Sequence, residues 1–596
     1  MVANRAWLIG SAALVAGSAL LMSKWVALQR SSQSLVYASI PLEETTITTN
    51  GQYGNIAISP DGRLVAFRQP SGIFLRSLGG LTSAVVPGTV GAVMPTFSRD
   101  GKSLVFVQSG KIRKVAVAGG PVSDVAVFAA SAGLEWEEDD NIYSTAGVSL
   151  GGIWRVPASG GVPVQVTHTD AAKGENAHTW PQLLPGKKAL LFTALGPSGG
   201  SADSRVVAER LDSHERVTLV EKAMFGRYLP TGQLLYANND GTVFAVSFDV
   251  ARLAVTGKAE PVLSGVGTAA WGGAEFLSVA ENGTAIYLPK STAPFVILSM
   301  VDRTGREVGS PLQPGPSSAS DGGPSFLDAR LSPDGRRIAA TGRRPGVADI
   351  WMLDSRSWSA DRLTFDGVED EYPVWSPDGK SVAYTIANAG SSRRLVIRST
   401  STGASPRVVR TWPRHLHINS WSRDGKWLAV LDYAPPPNGN DVWVLSAESK
   451  DSAFIAGGPG NQTTPVFSPD GRWLAYTSDE TGGSEIYVIP FPPTGARTQA
   501  SAHGGTTPRW DSAGRALYYL HGGKLMMQSI ETAGRFTKGE ESTLFATDAI
   551  SFDVAPDGQH FLLVRPHHAS SGLSLNLIIN WFDGVRVRAA STTPRQ

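Results

Sequence analysis

Apolar and polar positions alternate in short runs along most of this chain, and one run recurs: an apolar strand, then Ser-Pro-Asp-Gly, then a second apolar strand ending in a small or aromatic residue. The clearest copies are Ile58-Ser59-Pro60-Asp61-Gly62 with Leu64-Val65-Ala66-Phe67, Leu331-Ser332-Pro333-Asp334-Gly335, Trp375-Ser376-Pro377-Asp378-Gly379 with Val382-Ala383-Tyr384, and Phe467-Ser468-Pro469-Asp470-Gly471 with Trp473-Leu474-Ala475-Tyr476. Weaker copies centre on Asp100, Asp139, Pro185, Thr231, Asn282, Asp424, Ser512 and Asp557, which makes twelve units. Pro fixes the second position of the turn, Asp bonds back to the backbone at the third, and Gly takes the φ > 0 position that reverses the chain. The motif therefore predicts a hairpin. A second turn, as at residues 478–483, leads to a third strand such as 485–490, and a polar fourth strand such as 497–501 completes a four-stranded unit.

From Asp61 to Asp557 the units recur at a mean spacing of about 45 residues, the length of one four-stranded propeller blade. Common rings hold ~4 to 8 blades. Twelve units therefore predict an all-β chain of two tandem six-bladed β-propellers, at residues 33–290 and 291–596. Each half opens with an extra strand-like segment, 35–40 and 295–300, expected to complete the last blade of its own ring so that no strand edge is left unpaired. Residues 311–324, rich in Pro, Gly and Ser, are expected to form a surface loop of the second ring.

Ahead of the repeats, residues 6–22 form an uncharged run of Ala, Leu, Gly and Val between Arg5 and Lys24. The run falls just short of the ~20 residues that span a bilayer, and residues 25–28 extend it if Lys24 snorkels. Residues 1–32 are read as a membrane anchor crossing once through residues 6–28, with a cleaved signal peptide and a periplasmic product as the alternative.

Composition narrows the chemistry. Gly (65) and Pro (38) are abundant and charged residues (18%) scarce, as suits strands and turns. The net charge of +1 offers no field for a polyanion, so nucleic acid is not an expected partner. The absence of Cys excludes disulfides, thiolate metal sites and a thiol nucleophile. No cofactor is expected.

The Ser-Pro-Asp-Gly hairpins resemble the TolB-like, WD-repeat-like β-propellers of bacteria over residues 34–590. More narrowly, Lys173-Gly174-Glu175 with His178, Trp180 and Pro181, Gly482-Gly483-Ser484-Glu485-Ile486-Tyr487-Val488 with Pro490-Phe491-Pro492, and Asn580-Trp581-Phe582 resemble the extracytoplasmic propeller portion of bacterial receptor-type serine/threonine protein kinases. In that family a cytoplasmic kinase precedes the membrane span. This sequence has no Gly-rich nucleotide loop, Val-Ala-x-Lys strand, His-Arg-Asp loop or Asp-Phe-Gly motif, so the resemblance implies a sensor or scaffold half without its kinase. Propellers of prolyl oligopeptidases carry similar repeats, but their activity needs an α/β-hydrolase domain.

Several motifs carry candidate chemistry. Residues 147–151 and 196–200 match the Gly-x-Ser-x-Gly elbow pattern without the strand and helix that an elbow needs. His415 and His417, two apart on a strand, would face the same way, but no third metal ligand lies nearby in sequence. The acids Glu135, Glu137, Glu138, Asp139 and Asp140, and Asp366, Glu369, Asp370 and Glu371, lack EF-hand spacing, and no metal site is assigned. Glu175, His178 and Trp180 stand immediately before an innermost strand, where propeller loops surround the channel mouth. An acid, an imidazole and an indole converging there would recognise a ligand by charge, hydrogen bonding and stacking. The alternative is structural: Trp180 packs between blades while His178 bonds to backbone. Asp370, His417, Asn419, Asn461 and Thr463 hold comparable positions in the second ring.

These readings converge on a membrane-anchored extracytoplasmic propeller pair that binds a protein, peptide or glycan, with or without a membrane-associated signalling partner, and performs no chemistry. The alternatives are a TolB-like envelope-trafficking protein and a hydrolase or lyase acting at a propeller channel.

Overall fold

The computed structural model describes residues 35–41 and 56–585 except 70, 129, 147–150, 197–200, 239, 268–276, 290–295, 313–323, 345–346, 366–368, 388–391, 402–404, 434–438, 459, 533–534, 567–573 and 583. The apolar run at 6–22, both elbow-like matches in large part, Asp366 and most of 311–324 lie outside the described residues. Among the described residues no helix is long and apolar enough to cross a membrane.

Each Ser-Pro-Asp-Gly copy folds as the hairpin its chemistry predicts. In the copy at Ser376 the hydroxyl donates to Asp378 Oδ1 (2.6 Å) and accepts from Ser381 N–H (2.9 Å), while Gly379 N–H donates to the Ser376 carbonyl (2.9 Å). Gly379 has a φ of 68°, which an L side chain adopts only under strain. The Ser hydroxyl, first among the causes, holds the Asp378 carboxyl below the usual carboxylate range. The same return bond closes the weaker copies, where Leu229, Ala280, Asp511 and Ala555 replace Ser. The backbone turn thus survives loss of the side-chain bonds.

Among the described residues the strands form twelve antiparallel sheets, eleven of four strands and one of three. The sheets that begin at Ile56, Val93, Ala130, Ala177 and Met224 pack in that order through buried clusters: Ile73 with Phe106, Val105 with Ile142, Tyr143 with Phe192, and Leu191 with Leu234. A sixth sheet, containing Leu277–Val279 and Ala285–Tyr287, packs on the fifth through Ala285 against Phe225 and on the first through Ile286 against Phe67, so the series closes on itself. The sheets beginning at Ser325, Asp370, Leu416, Gln462 and Thr506 repeat the arrangement. The three-stranded sheet of Val296–Asp302, His560–Pro566 and Ser551–Val554 packs on the last of them through Phe561 and on the first through Leu562.

The two leading segments behave differently. Val296–Asp302 pairs with His560–Pro566 and completes a sheet of the second half, as expected. Val36–Pro41 likewise joins the last sheet of the first half, but through an intervening strand: it pairs with Ser574–Ile579, which in turn pairs with Ala285–Tyr287. The strand Ser574–Ile579 from the end of the chain therefore lies inside a first-half sheet, although the sequence assigns it to 291–596. The reason is apolar: Leu575 and Ile578 are buried, one against Ile40 and Ile286, the other against Ala285 and Trp581.

Candidate functional site

Among the described residues the first strand of nine of the twelve sheets carries a bulge shortly before its turn. Counting back from the turn residue that occupies the Ser position, the residue four earlier has positive φ in eight of the sheets: Met94, Gly133, Trp180, Phe225, Asp328, Tyr372, Thr464 and Thr507. Pairing registers shift at these same places, as between Val93 and Thr96 or Thr179 and Gln182. A left-handed L residue costs about 1–2 kcal/mol, and a bulge re-aims the side chain it carries. In the first half the strained residues line one cavity.

That cavity, ≈ 100 Å³, is walled by Met94, Gly133, Trp180 and Phe225 from the strained layer and by Thr96, Glu135, Arg227 and Ser278 from the layer two residers nearer the turns. Trp180 meets Phe225 edge-on, ring centroids 5.9 Å apart. Gly133 is required beside them, because a Cβ there would lie 2.8 Å from the Trp180 Cα. Arg227 grips Glu135 with both Nη atoms (2.7 and 3.2 Å). Arg99 at the turn side bridges Glu281 (2.8 Å) and the buried Glu137 (3.1 Å), whose other oxygen accepts from Leu183 N–H (2.9 Å). Burial, reinforced by Glu135, pushes the Glu137 carboxyl up to about 7.

Of the sequence-selected trio, Trp180 reaches this cavity and the other two do not. Glu175 and His178 are buried and face their own sheet. His178 Nε2 donates to Glu175 Oε2 (3.0 Å), and its Nδ1 accepts from the Thr167 hydroxyl (2.7 Å). Burial holds the His178 imidazole below its ordinary value, consistent with this neutral tautomer. Arg205 and Arg216 also donate to Glu175 (2.8 and 3.2 Å), as does Asp170 N–H (2.7 Å). Burial opposes ionisation of Glu175, yet these donors outweigh it and bring the carboxyl down to about 2. All the polar atoms are spoken for within the protein.

The second-half selections divide similarly. His417 stacks on Tyr372 (3.5 Å between centroids), and its Nε2 lies 2.7 Å from His415 Nε2. Burial, then the nearby Arg393 cation, holds both imidazoles well below their ordinary range. Among the described residues no group of three His, Asp or Glu is placed to hold a metal. Asp370 is fully buried, and Asn419 and Thr463 are half-buried on first strands of their sheets. Asn461 is structural: its N–H and Nδ2 donate to Asp479 (2.6 and 3.1 Å), its Oδ1 accepts from Asn440 N–H (3.3 Å), and it sits against Gly110 of the first half. Four members of the acidic runs are held in ion pairs, Glu135 with Arg227, Glu137 with Arg99, and Glu369 and Glu371 with Arg343, while Asp139 accepts from Tyr143 and Asp140 from Trp136.

Met94, Phe225, Arg99 and Arg227 were not selected from sequence. Their signal is positional: a fixed offset from each turn, with Pro following the strained residue at Met94, Trp180, Tyr372, Thr464 and Thr507.

Comparisons with known proteins extend the picture. The chain is 28% identical over 169 residues to "Uncharacterized peptidase YuxL" of Bacillus subtilis (27% of this chain, 24% of that protein). It is 30% identical over 153 residues to "Protein TolB homolog" of Chlorobium chlorochromatii (26% of this chain, 33% of that protein). The chain thus spans well under two thirds of these relatives. A solved structure, putative TolB from Agrobacterium tumefaciens, aligns with a TM-score of 0.37 at 20% identity, covering 46% of this chain and 99% of that one. The family model described as TolB beta propeller domain matches residues 373–578. Over that segment, about a third of the chain, the sequence is similar to the TolB beta propeller domain.

Proposed function

We propose that the chain is a pair of six-bladed β-propellers, residues 36–287 with 574–579 and residues 296–566, acting outside the cytoplasm as a non-catalytic, TolB-like protein-binding scaffold. The cavity at Trp180 carries this reading. Its ≈ 100 Å³ falls below the ~300–1,000 Å³ of small-molecule and cofactor pockets. It suits one inserted side chain of a polypeptide. An indole and a phenyl ring supply the anchor, and the Arg227–Glu135 and Arg99–Glu281 pairs supply a polar rim, the anatomy of a protein-binding hot spot. Strained backbone around the cavity fits a clamp held ready for its ligand. The apolar run at 6–22 supports export, by anchor or by cleaved signal, and the kinase-propeller resemblance makes a membrane signalling partner the finer form of the same reading.

The test is affinity capture from envelope extracts with wild type and Trp180→Ala. A polypeptide partner held by wild type and lost from the variant supports the reading; identical captures contradict it. The peptidase name of the Bacillus relative and the raised Glu137 carboxyl favour a second reading, a peptide hydrolase. Cleavage of a peptide library by the purified chain, lost in Glu137→Gln, would establish that instead.

A further inference from the structure

The layer two residues before the turn position differs between the halves. In the first half its charged members, Glu135 and Arg227, neutralise each other in a two-pronged ion pair. In the second half the layer is Arg330, Val374, Ser420, Val466, Arg509 and Asp553. Asp553 stands between the two arginine-bearing sheets, but backbone occupies it: Oδ2 accepts from Leu331 N–H (2.8 Å) and Oδ1 from Val554 N–H (3.1 Å). Arg509 is buried, its Nε 3.7 Å from Asp553 Oδ1 and without a hydrogen bond, and its Nη1 donates to the adjacent Pro508 carbonyl (2.8 Å). Arg330, half-buried, donates to the adjacent Ala329 carbonyl (3.0 Å) and among the described residues has no carboxylate within ion-pair distance. Arg509 thus keeps its buried Nε–H without a hydrogen bond beside a carboxylate already engaged by backbone, and Arg330 donates only to its neighbouring carbonyl.

We propose that Arg330 and Arg509 form an oxyanion-binding site at the centre of the second half, which takes a carboxylate of an acidic polypeptide segment. Guanidinium forks match planar carboxylates, and charge-assisted bonds in a site sheltered from water are the strong ones. Burial, then Arg330, pulls the Arg509 guanidinium down to about 9, with Asp553 and Asp328 opposing the fall, and an anion between the two arginines would relieve the repulsion between them. A second acid, Asp328, also faces the pair: burial pushes its carboxyl up, against the pull of Arg330, Arg343 and a Thr341 hydrogen bond, so it is held less readily ionised than a free carboxylate. The site is separate from the Trp180 cavity and does not rest on that reading.

The test is fluorescence anisotropy on the full chain with a labelled, C-terminally amidated Gly-Ser peptide ending in two glutamates, its amidated glutamine counterpart, and inorganic phosphate. The acidic peptide is expected to bind at least about tenfold more tightly than the glutamine peptide, the discrimination one charge-assisted bond supplies. Arg330→Gln and Arg509→Gln should each weaken it by a similar factor, Arg330→Lys should restore part, and Arg356→Gln on an exposed turn should change nothing. Should Arg509→Gln fail to fold, half-buried Arg330 carries the test. Phosphate binding more tightly than the peptide, and lost in Arg330→Gln, would assign the site to free oxyanions. Equal affinity for both peptides, or binding lost in Trp180→Ala but kept in Arg330→Gln, overturns the proposal.

Discussion

Glu135 and Arg227, ninety-two residues apart, close a two-pronged ion pair of 2.7 and 3.2 Å across the sheet that carries Trp180. Both stand two residues before the turn position of their sheets, so the repeat itself brings them to one layer. Each is partly shielded, at 21% and 25% exposure. A double-mutant cycle with Glu135→Gln and Arg227→Gln, read by urea unfolding, should give a coupling energy of about 1–3 kcal/mol. Additive single effects would mean the pair is solvated and does not fix the cavity rim.

Glu137 sets a pH dependence. Its folded-state value of about 7 lies above the ordinary 4.5, so the folded protein holds the proton more tightly than the unfolded chain. This group therefore stabilises the fold most below pH ~4.5 and loses that contribution as pH rises through about 7, a change of at most about 3 kcal/mol. Wild type minus Glu137→Gln stability should fall between pH 5 and 8. A flat or rising difference would show that Arg99 and Leu183 N–H keep the carboxylate ionised.

The turn serine bonds to both Asp378 and Ser381, and Ser376→Ala removes both interactions. The expected loss is about 1–2 kcal/mol, measured as a shift in the urea midpoint at unchanged slope. The Gly379→Ala variant, strained at φ 68°, should lose about 1 kcal/mol or more. Neither should alter partner capture, because the cavity lies in the other half.

Strand Ser574–Ile579 ties the chain's end to its beginning. Ile578→Ala removes a fully buried side chain that packs on Ala285 and Trp581, and should cost about 2–5 kcal/mol. Hydrogen exchange should then accelerate at Ala38 and Ile286, which flank this strand, while Ile350 in the second half keeps its protection. Uniform acceleration in both halves would show that they unfold as one unit.

Turns and hairpins were legible in the sequence because their chemistry is local: Pro, Asp and Gly at fixed positions determine the reversal wherever they occur. Insertion of Ser574–Ile579 beside Ala285–Tyr287 was not legible, since it pairs residues almost three hundred positions apart by apolar fit, and Val296–Asp302 made an equally good leading strand. Residue type misled at Glu175 and His178. An acid and an imidazole near a channel read as ligand groups, yet Arg205, Arg216 and Thr167 bury and satisfy them. Trp180 does line a cavity, with Phe225 edge-on beside it. Its real neighbours, Met94, Phe225 and Arg227, look like ordinary strand residues and become visible only when each turn is used as a ruler.

The most direct measurement is site-specific photocrosslinking in intact cells, with a photoreactive phenylalanine at position 180 and, as control, at Leu81, an exposed residue of the first half. A polypeptide adduct formed at 180, absent at 81 and diminished by Arg227→Gln is the predicted result. No adduct at 180 above the level at 81 would contradict the account of this cavity as a protein-binding site.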